Sequence, residues 1–355
     1  MSGRRYLPAL FLLAAALHTA AVTRSLLPAQ DGLKFLRIAR DFQRRPWVDV
    51  IRGADQHPLY PALVAVVEPV VATLLGRGPE TWRIAAQTVA ALASLALLAP
   101  LYGLTRDLFD ARIARIAVLI YVVLPLPAAI GHDTLSDSLA LCLALYALWL
   151  GEISLRSNGW KAPLGCGVVA GLGFLARPEV VVVPAAVGLT WVLRGGVRQP
   201  RIALAQISAL GLSFLVLVGT YALLKGEVSE KLALRQALGI GQRAPRPQRS
   251  RQMLPRGLDD SRWDFSPKEE ADEPEVASVS GIVSRLGLQW AECLCGLFAV
   301  LAVWGVARAR FIRSLCLSSE SPAHEPTIPR WGGWLIGVYL TLFSLILARH
   351  AIKMG

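Results

Sequence analysis

Charge is what this chain has least of. Only 17% of its 355 residues are Asp, Glu, Lys or Arg, while 54% are hydrophobic. That balance excludes an ordinary soluble enzyme and fits a polytopic membrane protein. Cysteine is scarce as well: Cys142, Cys166, Cys293, Cys295 and Cys316 are the five present. The first four fall in apolar stretches, and Cys293 and Cys295, two apart, point in different directions on a helix. Neither a disulfide framework nor a zinc site follows, and buried small apolar residues are expected. The chain also has no glycine-rich P-loop, no G-x-G-x-x-G after a strand, no G-x-S-x-G and no H-E-x-x-H. Those absences argue against soluble nucleotide chemistry. There is no internal repeat.

What the chain has is apolar runs. Stretches long enough to cross a bilayer recur at 7–24, 82–104, 111–131, 134–153, 162–176, 179–194, 201–225, 284–308 and 332–349. They predict an all-α bundle of about nine or ten membrane helices. The first run follows Arg4-Arg5 without a clear small-residue cleavage site, so an uncleaved span is expected there. Net charge is +12. In a soluble protein that would suggest nucleic acid. Here the cations sit beside span ends, where they set orientation or attract lipid and phosphate, and no nucleic acid is expected.

Arg4 and Arg5, then Arg106, Arg112 and Arg115, then Arg156 and Lys161, then Arg194, Arg198 and Arg201, and finally Arg308, Arg310 and Arg313 mark cytoplasmic segments. These assignments agree only if 59–76 does not cross. That stretch is short and carries Glu68-Pro69 in its middle, a carboxylate and a helix breaker. It is expected to be a re-entrant or interfacial helix on the outer side. Asp31, His57, Asp133, Asp137, Arg177 and residues 226–283 then share the non-cytoplasmic face. The expected organisation is a transmembrane core over 1–225 with an outer loop at 25–81, a polar and irregular outer loop at 226–283, and C-terminal transmembrane helices over 284–355. The polar loop is basic in its first half and acidic in its second, with five prolines between Pro245 and Pro274.

Several ionisable residues sit oddly for such a chain. Asp31 opens a predicted amphipathic helix with Leu33, Leu36, Ile38 and Ala39 on one side and Lys34, Arg37, Arg40, Arg44 and Arg45 on the other. A helix N-cap explains an Asp there, and the basic face suits the headgroup region or a lipid phosphate. His57 precedes Pro58-Leu59-Tyr60-Pro61 and is expected to be a structural, hydrogen-bonded residue. With Asp55 it could also position a phosphate or contribute to a divalent metal site, although one His and one Asp are too few to define one. In His132-Asp133-Thr134-Leu135-Ser136-Asp137, Asp133 or Thr134 is expected to cap the next helix. Asp137 is expected about one turn inside it, where a carboxylate is costly unless it faces a polar cavity. Arg177-Pro178-Glu179 interrupts two apolar runs. The guanidinium there suits phosphate, and Glu179 could equally neutralise it. Arg349, His350 and Lys353 are expected to snorkel.

The order of these pieces resembles the GT-C membrane glycosyltransferases, specifically the protein O-mannosyltransferase and aminoarabinose transferase group. The residues that carry the resemblance are an acidic opener after the first span, His57-Pro58-Leu59-Tyr60-Pro61, a carboxylate at an outer turn, and Gly171-Leu172-Gly173-Phe174-Leu175-Ala176-Arg177-Pro178-Glu179. The resemblance spans roughly 1–225. It implies transfer of a sugar from a polyprenyl-phosphate carrier to a lipid, glycan or protein acceptor on the outer face of an inner or plasma membrane. It implies Asp31 as general base, Asp137 and less directly Asp133 as the second acidic position, and Arg177 with the basic face of 34–45 as holders of the phosphate charge. Lys34, Arg37, His57 and Tyr60 join these as candidate substrate-binding residues. Some relatives bind a divalent metal near the segment that holds His57, so a metal remains open, and no organic cofactor is expected. Family members usually continue through more spans and often end in a soluble domain, so a chain ending at Gly355 is expected to be a short form, a truncated product or an inactive relative. Two other functions, a transporter or lipid flippase and a non-catalytic membrane assembly protein, fit the composition. The first calls for charges at mid-membrane depth and symmetric broken halves. Neither is found in the sequence.

Overall fold

Inside lipid a backbone must satisfy its own amides, and the helix does so within one segment. The computed structural model describes residues 3–25, 30–157, 159–195, 200–226 and positions 337 and 339. Among these residues no strand forms. The helices are α1 (Gly3–Arg24), α2 (Gln30–Arg44), α3 (Trp47–Gly53), α4 (Leu59–Leu75), α5 (Pro79–Leu108), α6 (Ala111–Val123), α7 (Pro125–His132), α8 (Asp137–Arg156), α9 (Lys161–Ala176), α10 (Val182–Gly195, entered through a 3-10 turn at Pro178–Val181) and α11 (Pro200–Lys225). Four described helices are long and apolar enough to cross a membrane: α1, α5, α8 and α11. The protein is a polytopic all-α bundle. The predicted spans 284–308 and 332–349 (apart from positions 337 and 339), the polar loop beyond Gly226, Cys293, Cys295, Cys316, Arg349, His350 and Lys353 lie outside the described residues.

Two boundaries and one helix face differ from expectation. The run 111–131 is not one helix. Pro125 follows Leu124, whose φ of −67° and ψ of 136° are extended. A proline pushes its predecessor out of the helical region and lacks the N–H to continue the ladder. The run 134–153 begins its helix only at Asp137, with Ser136 at the N-cap position. Leu33 is 51% exposed, so the buried face of α2 is Phe35, Ile38, Ala39 and Phe42 instead.

The bundle has two ends that its contacts define. At the far end, Trp149 Nε1 donates to Asp107 Oδ2 at 2.9 Å, Arg156 pairs with Glu152 at 2.8 Å, and Gln206 Nε2 donates to the Ser157 carbonyl at 2.7 Å. These tie the end of α5, the end of α8 and the start of α11 together. At the opposite end, called the site end below, the guanidinium of Arg83 and the amide of Gln87 in α5 donate to the Ser25 carbonyl that closes α1. Lys225 Nζ of α11 donates to the Ala54 carbonyl at 2.9 Å, and Arg52 Nε to the Leu224 carbonyl at 3.2 Å.

Both ends of α4 stay at the site end. Tyr60, in its first turn, donates to the Ala86 carbonyl at 3.1 Å. Its C-terminus is joined to Pro79 through Gly76-Arg77-Gly78, with Gly76 at φ +82°. Ala86 lies only about 10 Å along α5 from Pro79, at 1.5 Å per residue. Helix α4 therefore leans across one end of α5 and does not follow its length. Pro69 leaves the Ala65 carbonyl without its usual helical donor. Gln43 Nε2 of α2 supplies the bond at 2.9 Å and donates to Glu68 Oε2 at 3.0 Å. Glu68 is buried against protein with a donor in place, which relieves the cost of a carboxylate beside hydrocarbon.

Candidate functional site

Helix α2 seats its first turn on the turn between α7 and α8. The contact requires glycine: a Cβ at Gly32 would lie 1.8 Å from Thr134 Oγ1 and 3.1 Å from the Thr134 carbonyl. Thr134 is fully buried, and its hydroxyl has no hydrogen-bond partner among the described residues. Its neighbours Asp31 on one side and Asp133 on the other are thus brought to one place from distant parts of the chain.

Asp31 is not a cap. The helix begins at Gln30, and Asp31 lies within the first turn with its side chain 68% exposed. Its Oδ1 accepts from Lys34 Nζ at 2.9 Å. That hydrogen bond, the charge of Asp31 and the charge of Asp55 raise the Lys34 pKa, so the ammonium stays protonated. Arg37 is exposed one turn further on and makes no hydrogen bond or ion pair among the described residues.

Asp133 and Thr134 do not cap α8. Asp133 Oδ1 accepts from the Thr134 N–H at 2.7 Å, closing the turn on itself. Asp137 is the first residue of α8, not a residue one turn inside it. Its carboxylate meets the positive end of the helix, where a negative charge is favoured. Arg177 Nη2 donates to Asp137 Oδ2 at 2.7 Å, and Arg177 Nε to Ser136 Oγ at 3.2 Å. The guanidinium is 35% exposed, and its partner carboxylate 30%. Arg177 itself closes α9 in an extended conformation, with φ −151° and ψ 132°, because Pro178 follows it.

Tyr60 stands between these pieces. It is fully buried, with its ring edge-to-face on Phe35 of α2 at 5.2 Å. Burial disfavours ionisation of its phenol, and the charges of Asp133 and Asp137 add to that. Its hydroxyl is committed to the Ala86 carbonyl, so Tyr60 supports the site from below.

His57 differs from the other candidates. It is 6% exposed and packs against Phe174 at 5.3 Å and Tyr221 at 5.5 Å. Lys225, also buried, holds its ammonium 5.8 Å from the Tyr221 ring. Tyr221 and Lys225 were not singled out from sequence. A cation closing a span reads as a snorkelling residue, and the bond to the Ala54 carbonyl distinguishes this one. Among the described residues no group of three or more His, Cys, Asp or Glu could hold a metal ion. The imidazole of His57 lies between the rings of Phe174 and Tyr221.

The site end therefore holds three carboxylates, a guanidinium about one-third exposed and an ammonium at one end of a membrane helix bundle. A weakly nucleophilic hydroxyl could find a base there, and a phosphate a planar cation. Residues 61–223 match the family described as dolichyl-phosphate-mannose-protein mannosyltransferase. Over that stretch the chain resembles a GT-C-type mannosyltransferase, and with its apolar helices this supports an integral-membrane glycosyltransferase. No curated protein matches the chain. Asp133, Asp137 and Arg177 fall inside the matched stretch, whereas Asp31, Lys34, Arg37, His57 and Tyr60 precede it.

Proposed function

We propose that this protein transfers a sugar from a polyprenyl-phosphate donor, of the dolichyl-phosphate type, to an acceptor hydroxyl on the non-cytoplasmic face of the membrane. The acceptor is a protein, glycan or lipid. Asp31 takes the hydroxyl proton as the acceptor oxygen bonds to the anomeric carbon. The bond from that carbon to the phosphate oxygen breaks, and the polyprenyl phosphate departs with the bonding pair. Arg177 offers the rest of its fork to the developing phosphate charge, while Asp137 and Ser136 fix its plane. Lys34 holds the Asp31 carboxylate at the helix start, and Arg37 extends the basic surface toward the donor. Asp133 and Tyr60 keep the turn and α2 in register.

One observation carries this reading: the Gly32–Thr134 contact puts Asp31 beside the turn that leads to Asp137 and Arg177. The test is transfer of a labelled sugar in membranes by wild type and Asp31→Asn. The amide keeps the size and loses the base, so transfer is expected to fall by about 10²–10⁴-fold. Equal transfer by the variant removes Asp31 from the mechanism. No transfer by wild type from any polyprenyl-phosphate sugar overturns the glycosyltransferase reading itself.

A further inference from the structure

We propose that the arm formed by α2 and α3 docks on an anionic lipid surface through Arg40, Arg44 and Arg45, with Trp47 as its apolar anchor. This inference does not rest on the catalytic reading. Residues 30–53 carry six Lys or Arg against three Asp. The buried face of α2 is used up against α4 and α5, and its cations face outward.

The height of this row along the bundle decides what it meets. The Arg40 guanidinium lies 5.7 Å over the Trp82 ring. Trp82 sits in the first turns of the spanning helix α5, at the site end. That is the level of a membrane boundary, where tryptophan and snorkelling cations concentrate. Trp47 stacks on the buried Phe42 at 5.1 Å and keeps half its surface exposed. On α4, Val66, Val70 and Leu74 form one stripe at i, i+4 and i+8, exposed by 59%, 62% and 79%. Helix α4 keeps both ends at this level, so that stripe lies along the boundary too. An apolar stripe and an exposed tryptophan beside a row of arginines is the pattern of an interfacial helix. The cations do not converge on one point. Among the described residues Arg45 reaches only Asp41, at 4.0 Å. A spread row suits several headgroups and not one bound phosphate.

The full-length protein in nanodiscs of phosphatidylcholine, with or without a third phosphatidylglycerol, provides the test. Amide hydrogen exchange over 36–48 is the readout. Anionic lipid is expected to slow exchange by about five-fold per cation engaged, and Arg40→Gln/Arg44→Gln/Arg45→Gln to abolish that slowing. Inorganic phosphate added to phosphatidylcholine discs is expected to have no effect. If the triple variant does not fold, wild type at about 0.5 M salt serves instead, because the Debye length there is only a few Å and the slowing should vanish. Exchange that ignores phosphatidylglycerol, slowing that survives the substitutions or the salt, or slowing by phosphate alone each overturns the proposal.

Discussion

Replacing Gly32 with alanine is the sharpest probe of the site, because one methyl group separates two outcomes. The new Cβ would lie 1.8 Å from Thr134 Oγ1 and 2.8 Å from Thr134 Cβ, so it falls about 1–2 Å short of ordinary contact. Thr134 is fully buried and cannot swing its hydroxyl into solvent. Overpacking of this kind costs about 1–3 kcal/mol, while alanine in a helix recovers about 1 kcal/mol over glycine. The remainder loosens the first turn of α2. The rest of the helix stays tied through Phe35 to Tyr60 and Gln43 to Ala65, so α2 should pivot outward and not melt. A displacement of about 1 Å at Asp31 is enough for a loss near 10²-fold in transfer. Trypsin cleavage at Lys34 and Arg37 should quicken, with little change in Tm. Thr134→Ala alone removes a hydroxyl that has no partner among the described residues and should cost little. Combined with Gly32→Ala it should restore part of both readouts, a positive coupling in a double-mutant cycle. If Gly32→Ala leaves proteolysis and transfer unchanged, α2 does not seat on the turn and the assembled site is wrong.

Two further substitutions separate roles within the site. Arg177→Ala should cost about 1 kcal/mol of stability, since the pair with Asp137 is partly exposed; Arg177→Lys should recover most of the Tm but little of the transfer, because an ammonium cannot reach Asp137 and Ser136 in one plane. Full transfer by the lysine variant would sink the phosphate role. His57→Ala should open a cavity beside Phe174 and Tyr221 costing about 2–4 kcal/mol, and His57→Phe should recover the packing share of that loss. Loss of transfer in a stable phenylalanine variant would return His57 to the substrate.

The helical character of the chain was legible because apolar run length is a one-dimensional signal. What sequence could not supply was where each run stops and what it touches. Pro125 is a visible breaker, yet inside an apolar run it does not say whether a helix kinks or ends. Glu68-Pro69 was read as a reason for residues 59–76 to avoid lipid. In the fold, both the carboxylate and the carbonyl freed by the proline are satisfied by Gln43, a residue 25 positions before Glu68. The argument from cost alone thus loses force. The position of α4 rests instead on where Tyr60 and Gly76–Gly78 meet α5. Of the apolar side expected for α2, Ile38 and Ala39 are buried together with Phe35 and Phe42, whereas Leu33 is exposed.

The site divides in the same way. Arg177 and Asp137 are 40 residues apart and meet at 2.7 Å; each was noticed because it is ionisable next to an apolar run. Lys225 is equally ionisable and was passed over, because at the end of a span its charge has a routine explanation. Asp31 is the instructive case. Its acidity, its exposure and its bond to Lys34 are ordinary for a helix start, and it precedes the stretch that resembles the mannosyltransferases. What raises it above a helix-start residue is the glycine beside it. An exposed helix start tolerates alanine in place of glycine and gains from it. A glycine with a buried threonine oxygen against its Cα instead marks a surface held in contact with another segment. The catalytic claim for Asp31 therefore stands on the seating of α2, and the same seating would place the arginine row at the membrane boundary. Lipid composition and the substitution at Gly32 should then act on one rigid element: phosphatidylglycerol should slow the tryptic cleavage that Gly32→Ala quickens.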